Sequence, residues 1–251
     1  MGATRFAATV SYDGEGFVGS QRQANGRTVQ GELERAGATI FGSVVRVELA
    51  GRTDSGVHAT GQVAAFSTDT RLDAATVGRA FNANLPVDVA IRDVRIVPED
   101  FDPRRWARRR WYRYTIWNTS ERAPLLRRTA WHVEGNLDLQ AMQTAALALA
   151  GTQDFSACSG PLEDGRTPVR TVFRAEWSRE GDAVLFDIEG DAFLPQMVRR
   201  LTGALVRVGR SAITTEEFAA LLHAARQGTI RPTAPAHGLC LQRVEYDEGY
   251  V

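Results

Sequence analysis

One acidic side chain, Asp54, lies in a loop whose residue types could support chemistry, Gly51-Arg52-Thr53-Asp54-Ser55-Gly56-Val57-His58. The loop follows a strand-like segment, and its two glycines permit turns that other residues resist. Arg52 lies nearby, and a neighbouring guanidinium favours the ionised form of a carboxyl group. An ionised, fixed Asp could act as nucleophile, base or electrostatic stabiliser at the anomeric carbon of a sugar. The local pattern by itself favours a simpler role, in which Asp54 caps the backbone of a turn.

A second stretch combines positive charge with aromatic rings. From Arg104 to Arg113, six of ten residues are Arg, and Trp106, Trp111 and Tyr112 lie among them. Cations that contact phosphates and flat rings that stack on bases are typical of RNA-binding surfaces. We therefore expect RNA contacts from five of these residues, Arg104, Arg105, Arg108, Arg109 and Arg110.

The amino-acid composition bears on the partner, on metal and disulfide sites, and on the location of the protein. The formal net charge of the 251 residues is zero, which by itself argues against a nucleic-acid partner, and all 30 basic residues are Arg. Cys158 and Cys240 form no Cys-x-x-Cys pattern, so we expect no structural zinc site or disulfide framework and a reducing, cytoplasmic location. The N-terminus lacks the apolar stretch of a signal peptide, and no apolar run is long enough to span a membrane.

Strand and helix patterns occur in both halves of the chain. In the first half, strands are predicted over 6–12, 44–49, 62–67 and 90–97, with helices that begin after Thr28 and Asp73. In the second half, strands are predicted over 111–117, 170–178, 184–189 and 239–246. Helices there are predicted from Asp138 to Gly151, from Met197 to Gly209, and from a capping box of Thr214 and Glu217 to Gly228. This pattern predicts two similar α+β modules, over residues 1–104 and 105–251, with a substrate cleft between them.

The loop around Asp54 and its continuation, Ala59-Thr60-Gly61-Gln62-Val63, resemble the tRNA pseudouridine synthase A family. Further segments match the family in the same order over nearly the whole chain. They are Tyr12-Asp13-Gly14 with Phe17, Gly19 and Gln21; Thr28-Val29-Gln30; Asn82-Ala83-Asn84-Leu85-Pro86; Arg110 to Tyr114; Phe193 with Met197-Val198-Arg199; and Pro235-Ala236 with Gly238-Leu239.

The resemblance implies a fold of two RRM-like (ferredoxin-like) modules that share an extended, mostly antiparallel sheet. It implies isomerisation of uridine to pseudouridine, in which the base leaves the sugar at N1 and rejoins it through C5. No cofactor or metal is then required. The implied partners are a tRNA, at positions 38 to 40 of its anticodon arm, and a second copy of the chain in a homodimer.

The resemblance also assigns the site residues. Asp54 is the essential residue, which either attacks the anomeric carbon or abstracts a sugar proton. Tyr112 stacks on the target base and is a candidate to remove the C5 proton, and Arg199 pairs with the catalytic carboxylate. Arg52 fills the gap that the extruded uridine leaves, and Leu241 lines the base pocket. We expect His58 to pack beside the loop.

The sequence departs from the family pattern at three places. Ser55 stands where the family usually has Ala, a small change that we expect to be harmless. Ser20 replaces a Trp, which could loosen local packing or an RNA contact. Pro195-Gln196 replaces a pair of His residues. Three other functions stay open: a non-catalytic RNA-binding module, a carboxylate hydrolase of free nucleosides, and a pseudouridine synthase with another RNA target.

Overall fold

The computed structural model describes residues 2–162, 165, 167–224 and 227–247. It divides into two compact units, of which the first comprises Met1–Arg108 with Leu241–Val251 and the second comprises Arg109–Cys240. In chain order the strands and helices are β1 (Thr4–Tyr12), α1 (Val29–Phe41), β2 (Val47–Leu49), β3 (His58–Thr68), α2 (Ala74–Asn84), β4 (Val89–Ile96), β5 (Arg109–Trp117), β6 (Trp131–His132), α3 (Leu139–Ala146), β7 (Gly151–Asp154), β8 (Val169–Glu180), β9 (Ala183–Gly190), α4 (Met197–Gly209), α5 (Thr215–His223) and β10 (Leu239–Glu245).

The first unit is built on antiparallel strands. β1 lies between β4 and β3, β2 pairs with β3, and β10 follows β3 on its other side. Thr28 caps α1 by accepting a hydrogen bond from the Gly31 N–H, and Asp73 caps α2 in the same way through the Thr76 N–H. The core holds a cluster of aromatic rings in which Phe66 packs on Phe6, Phe41 and Phe81. The sheet therefore rests on a packed apolar layer that fixes the ends of its strands.

The second unit has the strand order β5-β9-β8-β7, in which the neighbouring strands are antiparallel. Along β5 the residues alternate, with Arg110, Tyr112, Tyr114 and Ile116 buried and the residues between them more exposed. Because side chains alternate between the two faces of a strand, these four residues share one face. Helices α3, α4 and α5 contribute apolar residues such as Met142, Leu201 and Phe218 to the core.

The structure confirms the mixed α and β class with mostly antiparallel strands. The helix starts after Thr28, Asp73, Asp138 and Thr214 are where the capping residues predicted them, and Glu217 completes the capping box. The third helix is shorter than expected, because the chain tightens into a 3₁₀ turn at Leu147–Leu149 before β7. The end of α5 lies at His223, ahead of the expected Gly228.

The division into units differs from the expected one in two respects. It falls after Arg108, and the segment from Leu241 onward belongs to the first unit. The physical reason is the position of β10, whose residue Gln242 accepts a hydrogen bond from Thr60 of β3. Tyr246 then packs on Phe101 and donates to the Pro103 carbonyl. In the described part of the chain, no helix is both long and apolar enough to cross a membrane.

Candidate active site

Asp54 lies in the turn between β2 and β3, as the sequence predicted. The Val57 N–H donates to the Asp54 carbonyl oxygen at 3.2 Å, which closes the turn. The Gln62 side chain, on β3, donates to the Gly51 carbonyl at 2.9 Å and holds the start of the loop. Arg52 is exposed, Thr53 is buried, and Asp54 is partly buried. The loop thus carries the charged side chains of Arg52 and Asp54, with the buried Thr53 between them in sequence.

The loop packs closely on the segment that follows β1. Gly14 lies against Val57 so tightly that a Cβ atom at Gly14 would sit 2.1 Å from the Val57 carbonyl oxygen. The Ser55 hydroxyl donates to the Phe17 carbonyl at 3.0 Å, and the Gly56 N–H points to the same oxygen at 3.4 Å. The turn is therefore fixed from outside as well as by its own hydrogen bonds.

His58 belongs to the support of this loop. Its Nδ1 atom accepts a hydrogen bond from the Gly14 N–H at 3.0 Å, and the ring is largely buried. Asp13 lies 3.2 Å from the same nitrogen, a contact that becomes an ion pair only if Nδ1 carries a proton. We assign Nδ1 as the acceptor, because the Gly14 N–H has fixed backbone geometry. His58 then packs beside the loop, in contact with the segment that follows β1.

An ion pair stabilises the segment on which the loop rests. Arg27 makes two hydrogen bonds to the Asp88 carboxylate and lies 4.3 Å from the centre of the Phe17 ring. The Arg27 hydrogen bonds lower the pKa of Asp88 below its ordinary value. The Asp13 N–H donates to the Asp88 carbonyl, and the Val18 N–H donates to the Arg27 carbonyl. Charge and backbone contacts together hold the chain between Asp13 and Val18.

In the second unit, Tyr112 lies on the buried face of β5. Only 6% of its surface is exposed, and its ring meets Phe193 edge to face at 5.2 Å between centroids. Tyr114 shares this face and donates its hydroxyl proton to the Pro235 carbonyl at 2.8 Å. Burial raises the pKa of Tyr114, and the nearby charge of Arg199 opposes that rise. Tyr114 is thus a neutral phenol with a structural hydrogen bond to Pro235. The ring of Tyr112, by contrast, packs on the Phe193 ring.

Arg199, near the start of α4, is tied to the segment that precedes β10. Its Nε donates to the Ala234 carbonyl at 2.9 Å, and the Ala234 N–H donates back to the Arg199 carbonyl at 3.0 Å. This pair of bonds fixes the direction of the guanidinium. Next to it, Gln196 accepts two hydrogen bonds from the buried Arg200. The Gln196 that replaces a family His therefore anchors an Arg of the same helix.

The predicted site residues are divided between the units. Asp54, Arg52 and Leu241 belong to the first unit, and Tyr112 and Arg199 belong to the second. Leu241 is fully buried on β10. The expected pairing of Arg199 with Asp54 joins residues of different units and stays a prediction.

The basic stretch is more engaged in structure than its sequence suggested. Arg108 binds Asp247 at 2.7 Å, and Arg105 lies 3.5 Å from Asp102. Arg110 is only 8% exposed and donates to the Asp191 carbonyl. Because that guanidinium is used inside the second unit, we leave Arg110 out of the proposed RNA surface. Arg109 is exposed, and its guanidinium lies 4.7 Å from the centre of the Phe173 ring.

Other reactive side chains have no evident role in this site. Burial raises the pKa of the Cys158 thiol to about 12, so the thiol stays protonated at neutral pH. Among the described residues, no group of three or more His, Cys, Asp or Glu side chains could hold a metal ion.

Ser20 is the residue whose contribution the sequence missed. Its replacement of a Trp suggested looser packing, yet Ser20 is fully buried and hydrogen-bonded to Thr53. The two residues lie far apart in sequence, so no local pattern linked them.

The comparison with known proteins agrees with this arrangement of motifs. A family described as tRNA pseudouridine synthase matches residues 8–104 and 145–247. The chain therefore belongs to the tRNA pseudouridine synthase family.

The relatives that it resembles carry the more specific name tRNA pseudouridine synthase A. The protein of that name from Geotalea uraniireducens is 40% identical over 94% of this chain and 97% of its own length. Those from Roseiflexus castenholzii and Syntrophotalea carbinolica are 46% and 43% identical, over 96% and 94% of this chain and 90% and 94% of their own lengths.

Proposed function

We propose that this chain is an isomerase that converts uridine to pseudouridine in tRNA. The N1–C1′ bond breaks, the C5–C1′ bond forms, the C5 proton leaves and N1 gains a proton, so the composition of the RNA is unchanged. Membership of the family over most of the chain supports this function. The observation that carries it is the anchored loop that presents Asp54.

Asp54 is the catalytic residue in this proposal. Its carboxylate either attacks C1′ of the target nucleotide or removes a sugar proton, and in both cases it must be ionised and held in place. The closed turn and the contacts of Ser55 and Gly56 with Phe17 support such a role, because they limit the positions that the carboxylate can reach.

Four further residues take part in substrate binding. Tyr112 stacks on the uracil, and its hydroxyl group is the candidate acceptor of the C5 proton. Arg199 supplies positive charge for the substrate site, and its bonds to Ala234 support a fixed direction of that charge. Arg52 occupies the space that the extruded uridine leaves, which its exposure supports. Leu241 contributes an apolar wall for the base.

The RNA backbone is bound by four exposed residues, Arg104, Arg105, Arg108 and Arg109, of which Arg108 exchanges its exposed ion pair with Asp247 for a phosphate. Phe173 adds an exposed ring beside Arg109, since 44% of it is exposed and the Arg109 guanidinium lies over its ring. An exposed ring beside a cation suits a base and its phosphate.

The expected target is the anticodon arm of tRNA, at positions 38, 39 and 40, and the expected assembly is a cytoplasmic homodimer. The formal net charge of each chain is zero, and a dimer would supply a second basic stretch for the same RNA. Sedimentation of the purified protein tests the dimer, and mapping of pseudouridine in tRNA from cells without this protein tests the target positions.

Release of tritium from tRNA labelled at C5 of uridine tests the proposed activity directly. The intact protein should release tritium in proportion to pseudouridine formed, and Asp54→Asn should release none. Absence of release from folded protein that still binds tRNA would favour the non-catalytic RNA-binding module. Release of tritium from another RNA but not from tRNA would show that the protein is a pseudouridine synthase with a different target RNA.

A further inference from the structure

Ser20 uses all three of its hydrogen-bonding groups inside the first unit. Its hydroxyl oxygen accepts the Thr53 N–H at 2.8 Å, and its N–H donates to the Thr53 carbonyl at 3.2 Å. Its carbonyl accepts the Gln30 N–H at 2.9 Å, in the first turn of α1. Ser20 is 0% exposed. It therefore connects the start of α1 to the residue that precedes Asp54.

Thr53 is held at three points as a result. Besides the two bonds with Ser20, its hydroxyl lies 2.9 Å from the Tyr12 hydroxyl in a buried pair. Thr53 itself is 6% exposed, so water does not compete freely for these groups. Ser20 fixes the backbone of Thr53, and Tyr12 fixes its side chain.

The fixed Thr53 carbonyl bears directly on Asp54. This carbonyl and the Asp54 N–H belong to one planar peptide group. The hydrogen bond from Ser20 therefore also fixes the orientation of the Asp54 N–H and the position of the Asp54 Cα atom. Gly19 permits this close approach, because its φ angle is +124° and a Cβ atom there would lie 3.1 Å from the Thr53 carbonyl oxygen. A side chain at position 19 would be strained in that conformation.

We propose that Ser20 is a positioning residue for Asp54, and that the buried Ser20–Thr53–Tyr12 cluster holds the catalytic carboxylate at its working position. This inference rests on the proposed role of Asp54. Ser20 does not contact the substrate; it acts through Thr53. In this chain Ser20 supplies the oxygen that accepts the Thr53 N–H; a Thr side chain also carries such an oxygen, and Ala does not.

The test compares Ser20→Ala with the intact enzyme under single-turnover conditions, with enzyme in saturating excess over tRNA. The rate constant then reports chemistry in the bound complex and is insensitive to a modest fraction of inactive protein. We expect a decrease of about tenfold or more, because small misplacements of a reacting group are costly. The dissociation constant for tRNA should change by less than about twofold, since the phosphate contacts are elsewhere.

Ser20→Thr provides the rescue, and its rate constant should lie within about threefold of the intact enzyme because the hydroxyl is retained. Ser159→Ala is the matched control, since Ser159 is also fully buried and donates its hydroxyl to the Ser156 carbonyl at 3.1 Å. It should keep the original rate constant. If Ser20→Ala does not fold, Tyr12→Phe replaces it, and a reduced rate constant with unchanged tRNA binding is expected.

The positioning role is overturned if the variant tested, Ser20→Ala or its substitute Tyr12→Phe, turns over at the original rate. It is also overturned if Ser159→Ala loses as much rate as Ser20→Ala, because the loss then reflects any buried hydroxyl. The proposed function is judged separately, by the activity of the intact protein and its loss in Asp54→Asn. An active enzyme with a fully active Ser20→Ala variant would contradict the positioning role alone.

Discussion

The guanidinium of Arg27 binds the carboxylate of Asp88 through two hydrogen bonds, of 2.6 and 2.8 Å. This two-point geometry is the strongest form of a charged hydrogen bond between Arg and a carboxylate. The pair joins Arg27, two residues before α1, to Asp88, the residue before β4. The pair contacts the segment from Asp13 to Val18, which supports the Asp54 loop. Its loss should therefore lower the stability of the protein and the order of that loop.

Asp88→Asn should lower the free energy of unfolding at pH 7 by about 1 kcal/mol, because the pair is partly exposed to solvent. The lowered pKa of Asp88 gives stability that is present above the pKa of an unfolded Asp, about 3.9, and is lost as the pH falls through the lower folded value. The intact protein should therefore lose stability below about pH 4 more steeply than Asp88→Asn does. Urea unfolding across this pH range measures both effects.

Asp93→Asn is the control for that experiment. Asp93 also lies beside an Arg, at 3.2 Å from Arg92, but both side chains are well exposed. Its replacement should change neither the stability at pH 7 nor the acid dependence. Equal effects of Asp88→Asn and Asp93→Asn would contradict a specific role of the Arg27 pair.

Asp54→Asn should abolish pseudouridine formation while tRNA binding stays near that of the intact protein. The substitution keeps the size of the side chain and removes the charge on which either mechanism depends. Ser55→Ala, in the same turn, should retain activity, because it removes one hydroxyl contact with Phe17 and leaves the backbone bonds in place. Tritium release and filter binding report the two properties, and turnover by Asp54→Asn would refute the proposed role.

Tyr112→Phe and Tyr112→Leu should separate stacking from proton transfer. Phe keeps the ring, so tRNA binding should be retained while turnover falls; Leu should reduce turnover further because no ring stacks on the base. Tyr114→Phe is the control on the same strand face, where loss of the hydrogen bond to Pro235 should cost about 1 kcal/mol of stability and leave the single-turnover rate unchanged. Equal turnover of Tyr112→Phe and the intact enzyme would exclude the hydroxyl from the reaction.

Arg109→Gln should weaken tRNA binding and reduce the slope of log affinity against log salt by up to about 0.9, the value for one lost phosphate contact. Phe173→Ala should weaken binding with a smaller change in that slope, since a ring contributes stacking and not charge. Titrations of labelled tRNA at several salt concentrations give both quantities.

Arg174→Gln is the matched control for the salt experiment. Arg174 follows Phe173 in sequence, but its guanidinium is bound by Glu176 at 2.8 Å and by Glu189 at 3.0 Å. Its replacement should leave the salt slope almost unchanged. A slope change as large as that of Arg109→Gln would mean that the surface responds to total charge, not to Arg109.

The sequence by itself predicted where four of the helices begin, and it indicated Asp54 as the first residue to mutate. Capping residues such as Thr28 and Asp73 act on the N–H groups of the adjacent turn, so their effect is local and readable from the chain. The loop around Asp54 was recognisable in the same way, because its glycines, charges and neighbouring strands follow one another in sequence. The family resemblance and the comparison with known proteins rest on the same contiguous motifs.

Only the tertiary structure showed which residues support that loop and which Arg side chains are exposed enough to bind RNA. Ser20 and Thr53 meet because β1 pairs with β3, and no pattern along the chain encodes a contact at that separation. Arg110 and Arg109 are neighbours of the same type, yet strand alternation buries one and exposes the other. No local pattern predicted that the chain from Leu241 onward belongs to the first unit, because β3, the partner of β10 in that unit, lies far away in sequence. These contacts and exposures depend on pairing between strands that are far apart in sequence, and such pairing is determined by the whole fold.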